Sequence, residues 1–251
     1  MPQVLLPNSS NSEMAYQAGS QPRHREQDFS GFLIDLDGTI IDSTAAVVKH
    51  WADVGKEIGV DSATILEMSH GRRSLDTLQL VAPEKATWEY VQKIESAIPK
   101  NHGHLATEIP GASSLLRSLA SCSAPWAIVT SSTAPLAKGW LERFSLPCPK
   151  PERLVTAESV KVGKPDPACY LLGCSSIGST NGALEMLVIE DSPAGIRAGK
   201  AANCRVLALL TSHTYEQIAA SGPDWIVKDL ECVRILALGG QKFRVEICNI
   251  V

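Results

Sequence analysis

The stretch Phe32-Leu33-Ile34-Asp35-Leu36-Asp37-Gly38-Thr39-Ile40-Ile41 sets two carboxylates into an otherwise apolar run. An unpaired buried carboxylate is costly, so a pair closing an apolar strand and followed by a glycine turn has to face a cation, a phosphate-bearing ligand or water. Residues two apart on a strand point the same way, which aims Asp35 and Asp37 at a common site while Leu36 packs behind them. The plainer alternative is a turn initiator whose side chains bond the following amides.

Composition bounds what surrounds that stretch. A chain of 251 residues is long enough for one large domain or a core with a smaller lobe. Hydrophobic residues at 44% and charged residues at 20% read as an ordinary globular protein. The net charge of -4, with no basic block, argues against nucleic acid or an anionic membrane as partner. No apolar run reaches the roughly 18 residues of a membrane span. Seven cysteines without a Cys-x-x-Cys pattern read as reduced, packed thiols of an intracellular protein and not as a zinc site. Residues 1–28, rich in Ser, Asn, Gln and Pro, read as a flexible tail.

Downstream of the acidic pair the periodicity changes. Val47, Val48, Trp51, Val54 and Ile58 recur at helical spacing, and further helices are predicted over 61–68, 75–81 and 87–98, broken at Pro83 and Pro99. Within this block Ser69-His70-Gly71-Arg72-Arg73 is either a solvated loop or one that reaches a cleft, where the arginine forks would meet phosphate or hydroxyls. His102-Gly103-His104 lacks a carboxylate or cysteine partner at metal-site spacing and reads as an exposed loop.

From Ile109-Pro110-Gly111 onward, helices and strands alternate. Strand 126–129 leads through Thr130-Ser131-Ser132-Thr133 into a helix, a junction that either caps the helix or holds phosphate oxygens. Lys164 stands between Gly163 and Pro165 ahead of another helix, an unusual place for a merely solubilising charge. Strand 186–190 ends in Glu190-Asp191, either an acidic helix cap or a magnesium site. Strands over 205–209 and 225–227 and an apolar segment over 243–250 are expected to complete the sheet. The pattern predicts an α/β fold, a doubly wound parallel sheet, whose strand ends bring these four elements to one crevice.

Asp35-Leu36-Asp37-Gly38-Thr39, with Ser131, Lys164 and Glu190-Asp191 behind it, resembles the four motifs of the haloacid dehalogenase superfamily. His70-Gly71-Arg72-Arg73 followed by an amphipathic helix and by Ile109-Pro110-Gly111-Ala112 is similar to the fungal glycerol-phosphate and 2-deoxyglucose-6-phosphate phosphatases. The resemblance implies a Rossmann-like core over 29–43 and 109–251, with a small helical cap inserted over 44–108. It implies a magnesium-dependent phosphomonoesterase in which Asp35 is the nucleophile that becomes an aspartyl phosphate and Asp37 the general acid and base. Ser131 and Lys164 would hold the phosphoryl oxygens. Mg2+ would lie between Asp35, the Asp37 carbonyl and Asp191, with Glu190 binding directly or through water. Gly71, Arg72, Arg73 and Ser132 are expected at the substrate, Ser132 standing where those phosphatases usually carry Gly. The expected substrate is a small phosphorylated metabolite, a sugar or polyol phosphate, and the expected protein a cytoplasmic monomer. A phosphomutase, a phosphatase of a specialised or isoprenoid alcohol phosphate, and a non-catalytic phosphate-ligand sensor are the alternatives.

Overall fold

A computed structural model describes residues 23–69, 72–178, 183–239 and 242–251. Its centre is strand β2 (Gly31–Ile34), which pairs in parallel with β5 (Trp126–Val129) on one side and β7 (Met186–Glu190) on the other. With β6 (Leu154–Val155), β8 (Arg205–Leu209) and β9 (Trp225–Val227) they form a six-stranded parallel sheet in the order β6-β5-β2-β7-β8-β9. Strands buried on both faces read as continuous apolar runs, and side-chain parity decides which face each residue serves. Phe32, Ile34, Ile128 and Leu187 enter one core, and Leu33, Ala127, Val129 and Val188 enter the other. Helices α6 (Ala112–Ser121) and α7 (Ala134–Arg143) cover the first face. The second is covered by α8 (Ala168–Ser176), α9 (Pro193–Ala201) and α10 (Tyr215–Ala219). The doubly wound α/β sheet expected from the sequence is present.

Helices α1 (Thr44–Ile58), α2 (Ser62–Ser69), α3 (Ser74–Val81), α4 (Trp88–Ser96) and α5 (Ile98–Asn101) form a block between β2 and α6. Trp51, Val54, Ile65, Leu78 and Val91 give it a hydrophobic cluster of its own. The chain leaves and rejoins the sheet domain through a short antiparallel ribbon, β3 (Ile41–Asp42) against β4 (Thr107–Glu108).

The two chain ends depart from expectation. Residues 23–28 are not tail: Arg23–Phe29 is strand β1, paired antiparallel with β11 (Lys242–Ile250), which also pairs with β10 (Val233–Gly239). The segment around 243–250 therefore builds a second, three-stranded sheet and does not extend the parallel one. Phe243, Val245 and Ile247 alternate inward and add to the first core. Opposite them β1 offers only Phe29 as an apolar residue, and its register is marked by Arg244 beside Asp28, at 2.9 Å, so composition alone hides it. The remainder of the expected tail, 1–22, lies outside the described residues. Among the described residues no helix is long and apolar enough to cross a membrane.

Candidate active site

Asp35 follows the last residue of β2 and remains tied to β7 through its amide, which donates to the Ile189 carbonyl at 3.0 Å. Its Oδ1 lies 2.5 Å from Lys164 Nζ, and that ammonium also donates to the Val129 carbonyl at 3.1 Å and to Glu190 Oε1 at 2.6 Å. Sheet geometry makes this convergence possible, because the ends of β2, β5 and β7 lie side by side. Burial works against the Lys164 charge, but the Asp35 and Glu190 carboxylates outweigh it and hold its pKa above the ordinary lysine range.

Glu190 is spent on its neighbours. Besides Lys164, Oε1 accepts from the Tyr170 hydroxyl at 2.8 Å, while Oε2 accepts from the amides of Asp191 and Ser192 at 3.0 and 3.1 Å and from the Ser192 hydroxyl at 3.1 Å. Burial alone would raise its pKa, yet the Lys164 charge and these donors keep it below the usual value. A carboxylate so saturated orients the lysine, and within the acidic cluster that suits an indirect place for Glu190 at a metal, one of the two left open by the sequence, better than direct ligation. Gly195 lets α9 approach it, since a Cβ there would collide with the Glu190 carboxylate.

Asp191 follows the last residue of β7, where the strand has ended. Thr39 Oγ1 donates to its Oδ1 at 3.1 Å and Ser212 Oγ to its Oδ2. Gly38, at φ 86°, presents bare backbone to this carboxylate where any Cβ would clash. One carboxylate oxygen from each of Asp35, Glu190 and Asp191 falls within 4.8 Å of the others, all three residues being buried. Burial pushes Asp35 well above the ordinary carboxylate range, with Glu190 and Asp191 adding to the effect against the pull of Lys164. Burial and the Glu190 charge raise Asp191 to about 7. Three buried carboxyls that share the one Lys164 ammonium suit a divalent cation, which takes carboxylate oxygens and would relieve their repulsion.

Asp37 stands apart from that cluster. Its Oδ1 accepts from Ser43 Oγ at 2.7 Å and from Trp140 Nε1 at 3.0 Å, and its Oδ2 from Ser132 Oγ at 2.6 Å. The side chain is thereby aimed without entering the acidic cluster. Ser132, expected at the substrate, has its hydroxyl committed to Asp37 instead, and its buried position fits that task. Ser131 lines a cavity of about 160 Å³ that also touches Asp35, Asp37, Lys164 and Asp191.

The two arginines part company. Arg72 is exposed and lines the same cavity. Arg73 is 5% exposed and does not reach it. Its fork meets Asp76 at 2.7 Å through both Nε and Nη2, and donates to the carbonyls of Ala157, Val160 and Lys161 at 3.3, 2.9 and 3.1 Å. Arg73 is thus a strut between the helical block and the loop ahead of Lys164, which corrects the expectation that it binds substrate. Gly71 lies outside the described residues.

Among the side chains that sequence reasoning missed, besides Tyr170 on Glu190 and Ser212 on Asp191, are four around Asp37 and the cavity. Ser43 and Trp140 hold Asp37, and Glu95 and His50 line the cavity from α4 and α1. Glu95 accepts from Ser74 Oγ at 2.5 Å and from the Thr133 amide at 2.7 Å. A signal existed for the last two, because both sit on the apolar arcs of their helices, beside Val91 and Ile94 and beside Trp51 and Val54. Trp140 carried none, since a tryptophan on a helix face reads as core.

The family described as haloacid dehalogenase-like hydrolase matches residues 32–209. Glycerol-1-phosphate phosphohydrolase 2 of Saccharomyces cerevisiae is 37% identical over 221 residues, covering 85% of this chain and 88% of its own. The 2-deoxyglucose-6-phosphate phosphatase 1 of the same yeast is 34% identical, covering 86% of this chain and 94% of its own. A hydrolase from Pseudomonas syringae of known structure superposes with a TM-score of 0.68 at 24% identity, over 80% of this chain and 94% of that one, and speaks for the fold alone.

Proposed function

The chain belongs to the haloacid dehalogenase-like hydrolases, and from that premise we propose that it is a magnesium-dependent phosphatase of a small sugar or polyol phosphate, of the kind that glycerol phosphate and 2-deoxyglucose 6-phosphate represent. The two yeast relatives support the reaction and the substrate class by their names. The observation that carries the mechanism is the Asp35 carboxylate 2.5 Å from the Lys164 ammonium, with Asp37 held beside it by three donors.

In this reading an Asp35 oxygen attacks phosphorus, the bond from phosphorus to the ester oxygen breaks, and Asp37 gives that oxygen its proton. Lys164 and Ser131 hold the phosphoryl oxygens while charge spreads over them. Trp140 is a fixed donor on Oδ1, whereas the hydroxyls of Ser43 and Ser132 can rotate to donate or accept. The proton that Asp37 transfers therefore belongs on Oδ2. A water next loses its proton to Asp37 and attacks the aspartyl phosphate, releasing phosphate and restoring Asp35. Asp35, Asp191 and the Asp37 main-chain carbonyl would hold the magnesium ion, which when bound neutralises the phosphate and lets a carboxylate approach it. The helical block acts as a cap that keeps water out of the cavity. A cytoplasmic, monomeric enzyme is part of the same proposal.

Phosphate release from a panel of glycerol, hexose and polyol phosphates, with and without magnesium, tests the proposal. Turnover that needs magnesium and falls by about a thousandfold or more in Asp35→Asn is expected. Release of no phosphate from any ester, or full activity of the Asn variant, refutes it.

A further inference from the structure

The phosphoryl chemistry gives no task to the loop after β8, yet Thr211-Ser212-His213 reaches both segments that would hold the cation. Thr211 Oγ1 donates to the Gly38 carbonyl at 2.5 Å, one peptide beyond the Asp37 carbonyl. Ser212 Oγ meets Asp191 twice, at Oδ2 and, 3.2 Å away, at the main-chain carbonyl. His213 Nδ1 lies 2.7 Å from Ser212 Oγ and 3.2 Å from the same carbonyl. The loop is moored to the sheet in turn, where the Leu210 amide donates to the Val227 carbonyl at 3.0 Å.

Counting protons gives these contacts a direction. Ser212 has one hydroxyl proton, and a carboxylate accepts more strongly than a carbonyl, so the proton goes to Asp191 Oδ2. The Asp191 carbonyl and the Ser212 oxygen are then both acceptors facing His213 Nδ1, which therefore carries a proton of its own. With Thr39 on Oδ1 and Ser212 on Oδ2, each oxygen of the Asp191 carboxylate has one donor and keeps a lone pair for a cation. Glu190 differs, since two donors share its Oε1 and three its Oε2.

We propose that Ser212 is a positioning residue for the divalent cation, holding the Asp191 carboxylate in its ligating orientation, with Thr211 steadying the Asp37–Gly38 turn and His213 steadying Ser212. This rests on the magnesium site of the phosphatase reading above and names the part of the chain that tunes its affinity. Two effects oppose each other when the Ser212 hydroxyl is removed. Short of a donor, Asp191 becomes more basic, which favours a cation. Short of its anchor, the carboxylate has to be ordered anew at each binding event. Removing the hydrogen-bond partners of metal ligands typically costs about 10- to 100-fold in affinity, so orientation wins.

Titration calorimetry of magnesium into the full chain, with no substrate present, measures that affinity directly. Ser212→Ala should bind the ion about tenfold or more weakly. Ser212→Thr keeps the hydroxyl and should return to within about threefold of the wild type. Thr211→Val, which frees the Gly38 carbonyl and leaves Asp191 held, should fall between the two. Without the ion, Ser212→Ala should melt within about 2 °C of the wild type, because the residue is exposed. Equal magnesium affinity in the wild type and Ser212→Ala overturns the proposal. So does a weaker affinity that merely accompanies a clearly lower metal-free melting temperature, or one that Ser212→Thr fails to restore. A wild type that binds no magnesium overturns this inference together with its premise. A wild type that binds magnesium and releases no phosphate overturns the phosphatase reading alone, and the comparison with Ser212→Ala still decides the role of Ser212.

Discussion

Replacing Arg73 by lysine keeps the charge and removes the fork. Lysine cannot span both Asp76 oxygens and the carbonyls of Ala157, Val160 and Lys161 at once, so at least two of those carbonyls lose a charged donor. A hydrogen bond to a charged group contributes about 1.5–3 kcal/mol where it is buried. Asp76 is 39% exposed, so its share is discounted toward that of a surface pair. The carbonyls then dominate, and the net cost is about 3 kcal/mol, or a fall in melting temperature of about 6–10 °C for a chain of this size. Urea unfolding and a thermal melt measure the loss. Hydrogen exchange locates it, with faster exchange expected in α3 and around 157–161. KM should change by less than about threefold, because the side chain does not line the cavity. A variant of wild-type stability whose KM rises tenfold or more would show that Arg73 meets the substrate, and the strut would have to be abandoned.

Trp140→Phe fills most of the same volume but removes the donor on Asp37 Oδ1; kcat should fall about tenfold with a displaced pH profile, and unaltered kcat at every pH would count against the proton assignment. Glu95 is raised by burial from 4.5 to about 7, so the folded state keeps a proton that the unfolded state has lost, and stability falls as pH rises through that window by about 3 kcal/mol. Glu95→Gln should therefore melt higher than the wild type at pH 8 and no higher at pH 5, and parallel curves would refute the shift. His50 works in the opposite sense: with a folded value of about 4 against 6.5, it withdraws stability as pH drops between those values, a loss that His50→Phe should abolish in acid melts. Magnesium should raise the melting temperature of the wild type and of Glu190→Gln but not of Asp191→Asn; the reverse pattern would restore Glu190 as the ligand.

The cluster at the strand ends was legible in the sequence because a parallel sheet brings those ends together whatever the loops do. Asp35, Ser131 and Asp191 each follow a strand that an apolar run marks, while Lys164 lies in the loop between β6 and α8. The roles of neighbouring residues were harder to separate. Arg72 and Arg73 are chemically alike, and only the folded chain, which gives the Arg73 fork Asp76 and the carbonyls of 157, 160 and 161, separates it from Arg72 at the cavity. Ser131 and Ser132 both line the cavity, and only the bond from Ser132 to Asp37 tells their tasks apart. Strand β1 escaped notice because its pairing depends on main-chain bonds and on the ion pairs of Arg244, neither of which has a hydrophobic period. Glu95 and His50 were readable in principle as polar residues on apolar helical arcs, a pattern that also describes an ordinary satisfied core side chain.

The ribbon of β3 and β4 has a consequence for engineering. Since the chain exits and re-enters the sheet domain at two adjacent short strands, everything between residues 43 and 107 behaves as a cassette that could be swapped between related enzymes. Such a graft would transplant selectivity without disturbing Asp35 or Lys164, on two conditions. The donor block must bring a carboxylate to meet the Thr133 amide and a guanidinium to meet the carbonyls of 157–161. A chimera lacking either would carry the new pocket and still fail to seat it over the phosphate.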